Sequence, residues 1–278
     1  MALKVKLGLA LGLLAHAGAA AIAPLNSSAA DLDTIRERGR LVVAVKANAP
    51  PLGFRGDSGQ LQGLEIDLAR QLAATLLGDP AAVELVPVAN TARIPALLDD
   101  RVDAVIARLT VTERRARLVN FSHPYYYDGA ALVTRRPELQ TLADIGAGPV
   151  AVLTGSNTID ALRWHLPAAA LVGVASYEEA LSLLESGEAV AFGGDASVLT
   201  GWTQEYSGYW LLPTLLSTEA LAVALPKGLQ YQPLHQQVDN AIENWRETGW
   251  LRDRIQHWGL PFDEIGVGDN LNESGSLP

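Results

Sequence analysis

The apolar positions along the chain switch between short continuous runs and a four-residue recurrence. Residues 41–46 (LVVAVK) form such a run, which reads as a buried strand. Leu64, Leu68, Leu72 and Leu76 then recur at i+4 and predict a helix over 64–77, stopped by Gly78 and Pro80. Residues 82–88 (AVELVPV) predict another strand, 93–99 (RIPALLD) a short helix with Pro95 in its first turn, and 102–107 (VDAVIA) a third strand. The order β-α-β-α-β predicts helices packed on a mostly parallel sheet.

The same order returns downstream. Residues 149–153 (PVAVL) predict a strand, and TGSNT leads into a helix from about residue 158. A short strand follows at 170–174. Ser176 and Glu179 form a capping box ahead of a helix that Gly187 closes. Residues 189–193 (AVAFG) are a strand running into Gly194 and Asp195. Two apolar stripes end the chain: Leu234, Val238, Ile242 and Trp245, then Leu251, Ile255 and Trp258, with Gly249 between them. Residues 263–278 lack periodicity and are expected to form a flexible tail. The repetition is one of architecture, not of sequence.

One segment breaks this pattern. Residues 1–6 carry two lysines, 7–23 are apolar and small, and Ala21-Ile22-Ala23 fits a cleavage site, so 1–23 is expected to be a secretory signal peptide. A second cut after Ala30 fits as well. The run is short and rich in Gly and Ala, which makes it a poor membrane span. The alternative is an uncleaved anchor. The exported chain is expected to be soluble, periplasmic and monomeric. It has no cysteine, so neither a disulfide scaffold nor a lipid-modified cysteine is open to it. With 21 basic against 31 acidic residues the chain repels phosphates, which argues against nucleic-acid partners. An apolar content of 49 % supports a packed core rather than disorder.

Catalytic signatures are missing. The five histidines are scattered, and the sequence has no H-E-x-x-H, no G-x-S-x-G and no phosphate-binding loop. Neither a metal nor a cofactor is implied. The informative stretch is 103–127, DAVIARLTVTERRARLVNFSHPYYY. Its strand ends near Ala107, Thr110 and Thr112 follow on the turn, and Thr112 is a good N-cap. Arg115 then lies in the first turn of a short helix. Hydroxyls, free N–H groups and a guanidinium thus meet at the edge where α/β sheets bind ligands, a combination suited to a carboxylate. On periodicity alone, Arg114, Arg115 and Arg117 also read as a solvated basic face.

The set D103-A-V-I-A, T110-V-T112-E-R-R115 and F121-S-x-P124-Y125 resembles the signature of periplasmic amino-acid-binding proteins of ABC importers. L41-V-V-A-V-K46, G63-L-E-I-D67-L, R93-I-P-A-L, E185-S-G-E-A-V-A-F192 with D195, and L225-P-K-G228 follow in the family's order. The resemblance covers about residues 33–262. It implies a type II periplasmic-binding fold, two α/β lobes joined by two hinge strands near 129–134 and 219–223. The large lobe is then 33–128 with 224–262, and the small lobe 135–218. It further implies that Arg115, helped by Thr110, holds an amino acid's α-carboxylate. The helix start at Thr158 adds donors, and Asp195 pairs with the α-ammonium. Lys46 and Arg93 match cations in the glutamate/aspartate branch, and Arg108 stands where relatives keep a small residue. Acidic ligands are therefore favoured and neutral polar ones come next, although Lys46 also reads as a lysine reaching solvent. Tyr177 is expected at the distal end of the cleft. The implied partner is a membrane permease. The competing reading is a dehydratase-like or cell-wall-acting enzyme on the same fold, which would need an acid such as Glu65 or a histidine such as His123 in the cleft.

Overall fold

The computed structural model describes residues 31–261; the leader expected at 1–23 and the tail expected at 263–278 lie outside them. Helix α1 (Leu32–Arg38) is capped by Asp31, whose carboxylate accepts the Thr34 N–H at 2.9 Å. β1 (Leu41–Val45) is buried at every position. β2 (Asn48–Ala49), β3 (Gly53–Arg55) and β4 (Leu61–Gln62) make a small antiparallel sheet. α2 (Leu64–Leu77) buries Leu64, Leu68, Leu72 and Leu76 and ends at the left-handed Gly78. β5 (Val83–Pro87), α3 (Arg93–Leu98), β6 (Ala104–Ile106), α4 (Glu113–Ala116) and β7 (Asn120–Asp128) complete the first passage.

The second passage runs through β8 (Ala130–Thr134), α5 (Leu142–Ile145), β9 (Pro149–Leu153), α6 (Thr158–His165), β10 (Ala170–Val174), α7 (Tyr177–Ser186), β11 (Ala191–Asp195), α8 (Ala196–Glu205) and β12 (Trp210–Leu211). At the start of α7, Ser176 accepts the Glu179 N–H at 3.2 Å, while the Glu179 carboxylate reaches back to the Ala175 N–H at 2.7 Å. The chain then returns as β13 (Glu219–Leu225), α9 (Gln232–Glu247) and α10 (Trp250–His257).

Two five-stranded sheets result, ordered β5-β1-β6-β13-β7 and β10-β9-β11-β8-β12. The β1–β5, β1–β6, β9–β10 and β9–β11 pairs are parallel, as the alternation of strands and helices predicts. α2, α9 and α10 share one core with β1, β6 and β13, so the terminal helices belong to the first lobe. Trp245 is buried there, while Trp258 donates to Asp67 of α2 at 2.9 Å. Trp202 is buried in the second lobe, and Trp164 is 82 % exposed.

Of the two spans expected as hinges, 129–134 holds a crossing at its first residue and otherwise lies in the second sheet, while 219–223 lies within the first. Residues 130–134 belong to the second sheet, and 219–225 pair with β7 in the first, from Glu219 opposite Asp128 to Leu225 opposite Asn120. The crossing points are Gly129 and the segment around 212–218. They touch: a Cβ on Gly129 would stand 1.9 Å from the Ser217 carbonyl oxygen, so only glycine fits there. Ala130 N–H donates to the Ser217 hydroxyl at 2.9 Å and Leu216 N–H to the Ala130 carbonyl at 2.7 Å. The two crossings are thus bonded to each other.

Candidate functional site

The turn after β6 is where the first lobe presents its polar groups, and buried charges hold it. Arg108 has φ 48°, a left-handed conformation that costs a non-glycine residue about 1–2 kcal/mol. Its N–H donates to Glu65 Oε1, and its carbonyl accepts from Arg93 Nη1. Arg93 also bonds the Ala107 carbonyl at 2.9 Å and the Asn90 carbonyl at 3.0 Å. Glu65 is fully buried on α2, and its Oε1 accepts the Tyr125 hydroxyl at 2.6 Å. Glu65 Oε2 is buried with no hydrogen-bond partner. Burial pushes this carboxyl above the ordinary range, against the pull of the Tyr125 hydroxyl and the Arg108 N–H.

Beyond the turn, Thr112 caps α4 by accepting the Arg115 N–H at 3.3 Å, as its sequence position predicts. The Arg115 guanidinium curls back, with Nη1 on the Thr110 carbonyl at 2.7 Å, and its charge is the second cause, after burial, that lowers the Arg93 pKa. The Thr110 hydroxyl donates to Glu219 at 3.3 Å. Lys46, at the end of β1, is buried with Nζ 3.4 Å from the Val88 carbonyl. Its pKa is lowered, first by burial and then by the Arg93 charge.

The second lobe faces this cluster with acid and helix termini. Asp195 is the residue before α8, and its carboxylate is bonded by Arg108 Nη2 from the other lobe. Arg108 Nε lies 3.7 Å from Asp128 Oδ2. Asp128 is itself buried at the end of β7. It accepts the Gly129 N–H at 2.9 Å, the Ser197 N–H at 3.0 Å and the Ser197 hydroxyl, so it closes the N-terminus of α8 from the strand that enters the crossing. Thr158 begins α6; its N–H donates to Ser156 at 3.2 Å and its buried hydroxyl has no protein partner. Tyr177 packs edge-on against Phe192 at 5.9 Å and feels the Arg108 charge.

Lys46, Arg93, Arg108, Thr110 and Arg115 are therefore gathered on one lobe, and Arg108 carries the cluster across to Asp195. The Arg93 guanidinium keeps its charge in the cluster while engaged on three backbone carbonyls. Arg114 lines an apolar groove between α3 and α4 with Ile94, Pro95, Leu98 and Leu118, and Thr112 and Arg115 border the same groove. His123 lies at α9, where Asp239 accepts its N–H at 2.8 Å. Glu65 and Asp128 carry more of the site's structure than sequence reasoning gave them. The available signal for Glu65 was an acid flanked by Leu64 and Ile66 in a helix about to be buried. Among the described residues, no group of three or more metal-ligating side chains gathers, and no helix is long and apolar enough to cross a membrane.

A family profile of bacterial extracellular solute-binding proteins, family 3, matches residues 41–261. The chain belongs to that family. Among relatives of this solute-binding protein, the ABC transporter glutamine-binding protein GlnH of Bacillus subtilis is 27 % identical over 82 % of this chain and 84 % of its own length. The glutamine-binding protein of Geobacillus stearothermophilus is 31 % identical over 70 % of this chain and 76 % of its own. The solved structure of an ancestral cationic amino acid solute binding protein, AncCDT-1, superposes with a TM-score of 0.69 at 29 % identity, covering 82 % of this chain and 98 % of the other. The two-lobed α/β architecture is the type II periplasmic-binding fold of those neighbours.

Proposed function

We propose that the protein is an exported, periplasmic receptor that captures an amino acid between its lobes and delivers it to the permease of an ABC importer. One observation carries the reading: a cluster of cations on one lobe (Lys46, Arg93, Arg108, Arg115) reaches, through Arg108, an acid, Asp195, at a helix start on the other. A zwitterion has two fixed charges, and each needs an opposite partner once water leaves. Arg115 with Thr110 and the start of α6 at Thr158 suits the α-carboxylate, and Asp195 suits the α-ammonium. The names of the relatives, glutamine-binding and cationic-amino-acid-binding, support an amino acid as ligand. The excess of cations favours an acidic side chain, glutamate or aspartate, with neutral polar ones next. The lobes, 33–128 with 224–262 and 135–218, then close by a hinge movement, and the leader 1–23 accounts for export.

A thermal-shift panel of twenty amino acids tests this on mature protein that has been unfolded and refolded to remove carried ligand. A ligand at a thousand times its Kd adds about 4 kcal/mol, or roughly 8–16 °C in Tm for a chain of this size. A shift confined to Glu and Asp supports the whole reading. A shift confined to neutral polar residues keeps the receptor and removes the acidic preference. No shift from any amino acid overturns the receptor reading.

A further inference from the structure

We infer that Arg108 is a movable counter-charge that selects the ligand's acidic side chain, in preference to Lys46 or Arg93. This rests on the amino-acid reading above. The four cations of the cleft are engaged differently. Arg93 bonds backbone carbonyls, Lys46 Nζ points to the Val88 carbonyl, and Arg115 Nη1 bonds the Thr110 carbonyl. Arg108 instead reaches across the cleft to Asp195 and stands 3.7 Å from Asp128. Its Nε is buried and makes no hydrogen bond.

The main chain at Arg108 is fixed while its side chain bridges the lobes. Glu65 takes its N–H and Arg93 its carbonyl, which together hold φ at 48°. Tyr125 orients Glu65 in turn. The guanidinium therefore swings from a fixed Cα. A ligand whose ammonium takes Asp195 displaces Arg108 from that carboxylate. The displaced guanidinium sits in a partly buried cleft beside Asp128, whose oxygens already accept from Gly129 and Ser197, and is stabilised by a further anion. A side-chain carboxylate supplies one with two charge-assisted bonds, whereas a side-chain amide offers a single neutral oxygen. Asp195 thus exchanges one cation for another, and the ligand's third charge completes the exchange.

Calorimetric titration of L-glutamate and L-glutamine into the refolded wild type and into Arg108→Gly tests this. Glycine accepts a φ of 48° freely and leaves the N–H and carbonyl for Glu65 and Arg93. Arg108→Asn, the next most tolerant residue there, serves if the glycine variant melts early. The expected result is that wild type binds glutamate at least about tenfold tighter than glutamine, ~1.4 kcal/mol, and that the ratio falls to near one in the variant. A wild type that prefers glutamine overturns the selection while leaving the amino-acid reading intact. A variant that keeps the glutamate preference shows that the selecting charge lies elsewhere. Binding of none of the twenty amino acids overturns the underlying reading, and this inference with it.

Discussion

Gly201 offers a substitution that separates lobe contact from lobe folding. It lies in the middle of α8 in the second lobe, and a Cβ there would stand 2.7 Å from the Pro50 carbonyl oxygen of the first lobe. Carbon–oxygen contacts between elements close at about 3.3–3.6 Å, so alanine asks the two lobes to part by about 0.6 Å at this point. The obstacle is backbone, which cannot rotate away. Overpacking of this kind costs about 1–3 kcal/mol, charged only to the state in which the lobes touch. Within the helix the same change is favourable by up to about 1 kcal/mol. Gly201→Ala is therefore expected to weaken ligand binding by roughly 5–150-fold. Its Tm without ligand should hold steady or rise by about 2–4 °C. Calorimetric titration and a thermal melt on the same sample measure both. Unchanged affinity would show that closure does not need this contact. A Tm that falls together with affinity would show that the glycine serves folding rather than closure.

Other expectations follow from the same geometry. Asp103 is buried, accepts the Val42 N–H at 2.7 Å and is bonded by Arg38, so it ties β1 to the strand after it. Asp103→Ala should cost about 3–5 kcal/mol, roughly 6–20 °C in Tm, and a drop under a few degrees would refute that role. Thr158→Val removes a hydroxyl with no protein partner; ligand affinity should fall about 2–10-fold with Tm unchanged, and unaltered affinity would take Thr158 out of the site. Glu65 has a raised pKa, so its burial favours the protonated form. That contribution is fully present below the unfolded value and is lost as pH rises through the higher folded value. The Tm of Glu65→Gln relative to wild type should therefore climb as pH rises from 4.5 towards neutrality, and a flat difference would contradict the assignment.

Much of this architecture is legible in the residues. The i+4 leucines of α2, the cap at Thr112 and the Gly187 stop each act through local chemistry, so the sequence marks them directly. The sheet change at Gly129 is different. Residues 120–134 form one extended run, and what divides it is the approach of Ser217 from far downstream. The small sheet of β2, β3 and β4 has strands of two or three residues, too short for a period to show. The helix start that carries Arg115 could be read because its turn holds hydroxyls and a cap at Thr112. The engagement of Arg93 could not, because its partners are backbone carbonyls, which leave no mark in sequence. Nor does arginine signal a left-handed backbone, so the bond between Arg108 and Asp195 emerges only from the assembled fold.

The most direct test of the receptor reading compares wild type with Arg115→Lys in a calorimetric titration of the best ligand from the amino-acid panel. Lysine keeps the charge and loses the two-pronged fork that suits a carboxylate. The account predicts that affinity falls roughly 30-fold or more while the far-ultraviolet circular dichroism and the ligand-free Tm stay as they are. Equal affinity in the two proteins would contradict it, because the α-carboxylate would then be held somewhere other than at Arg115.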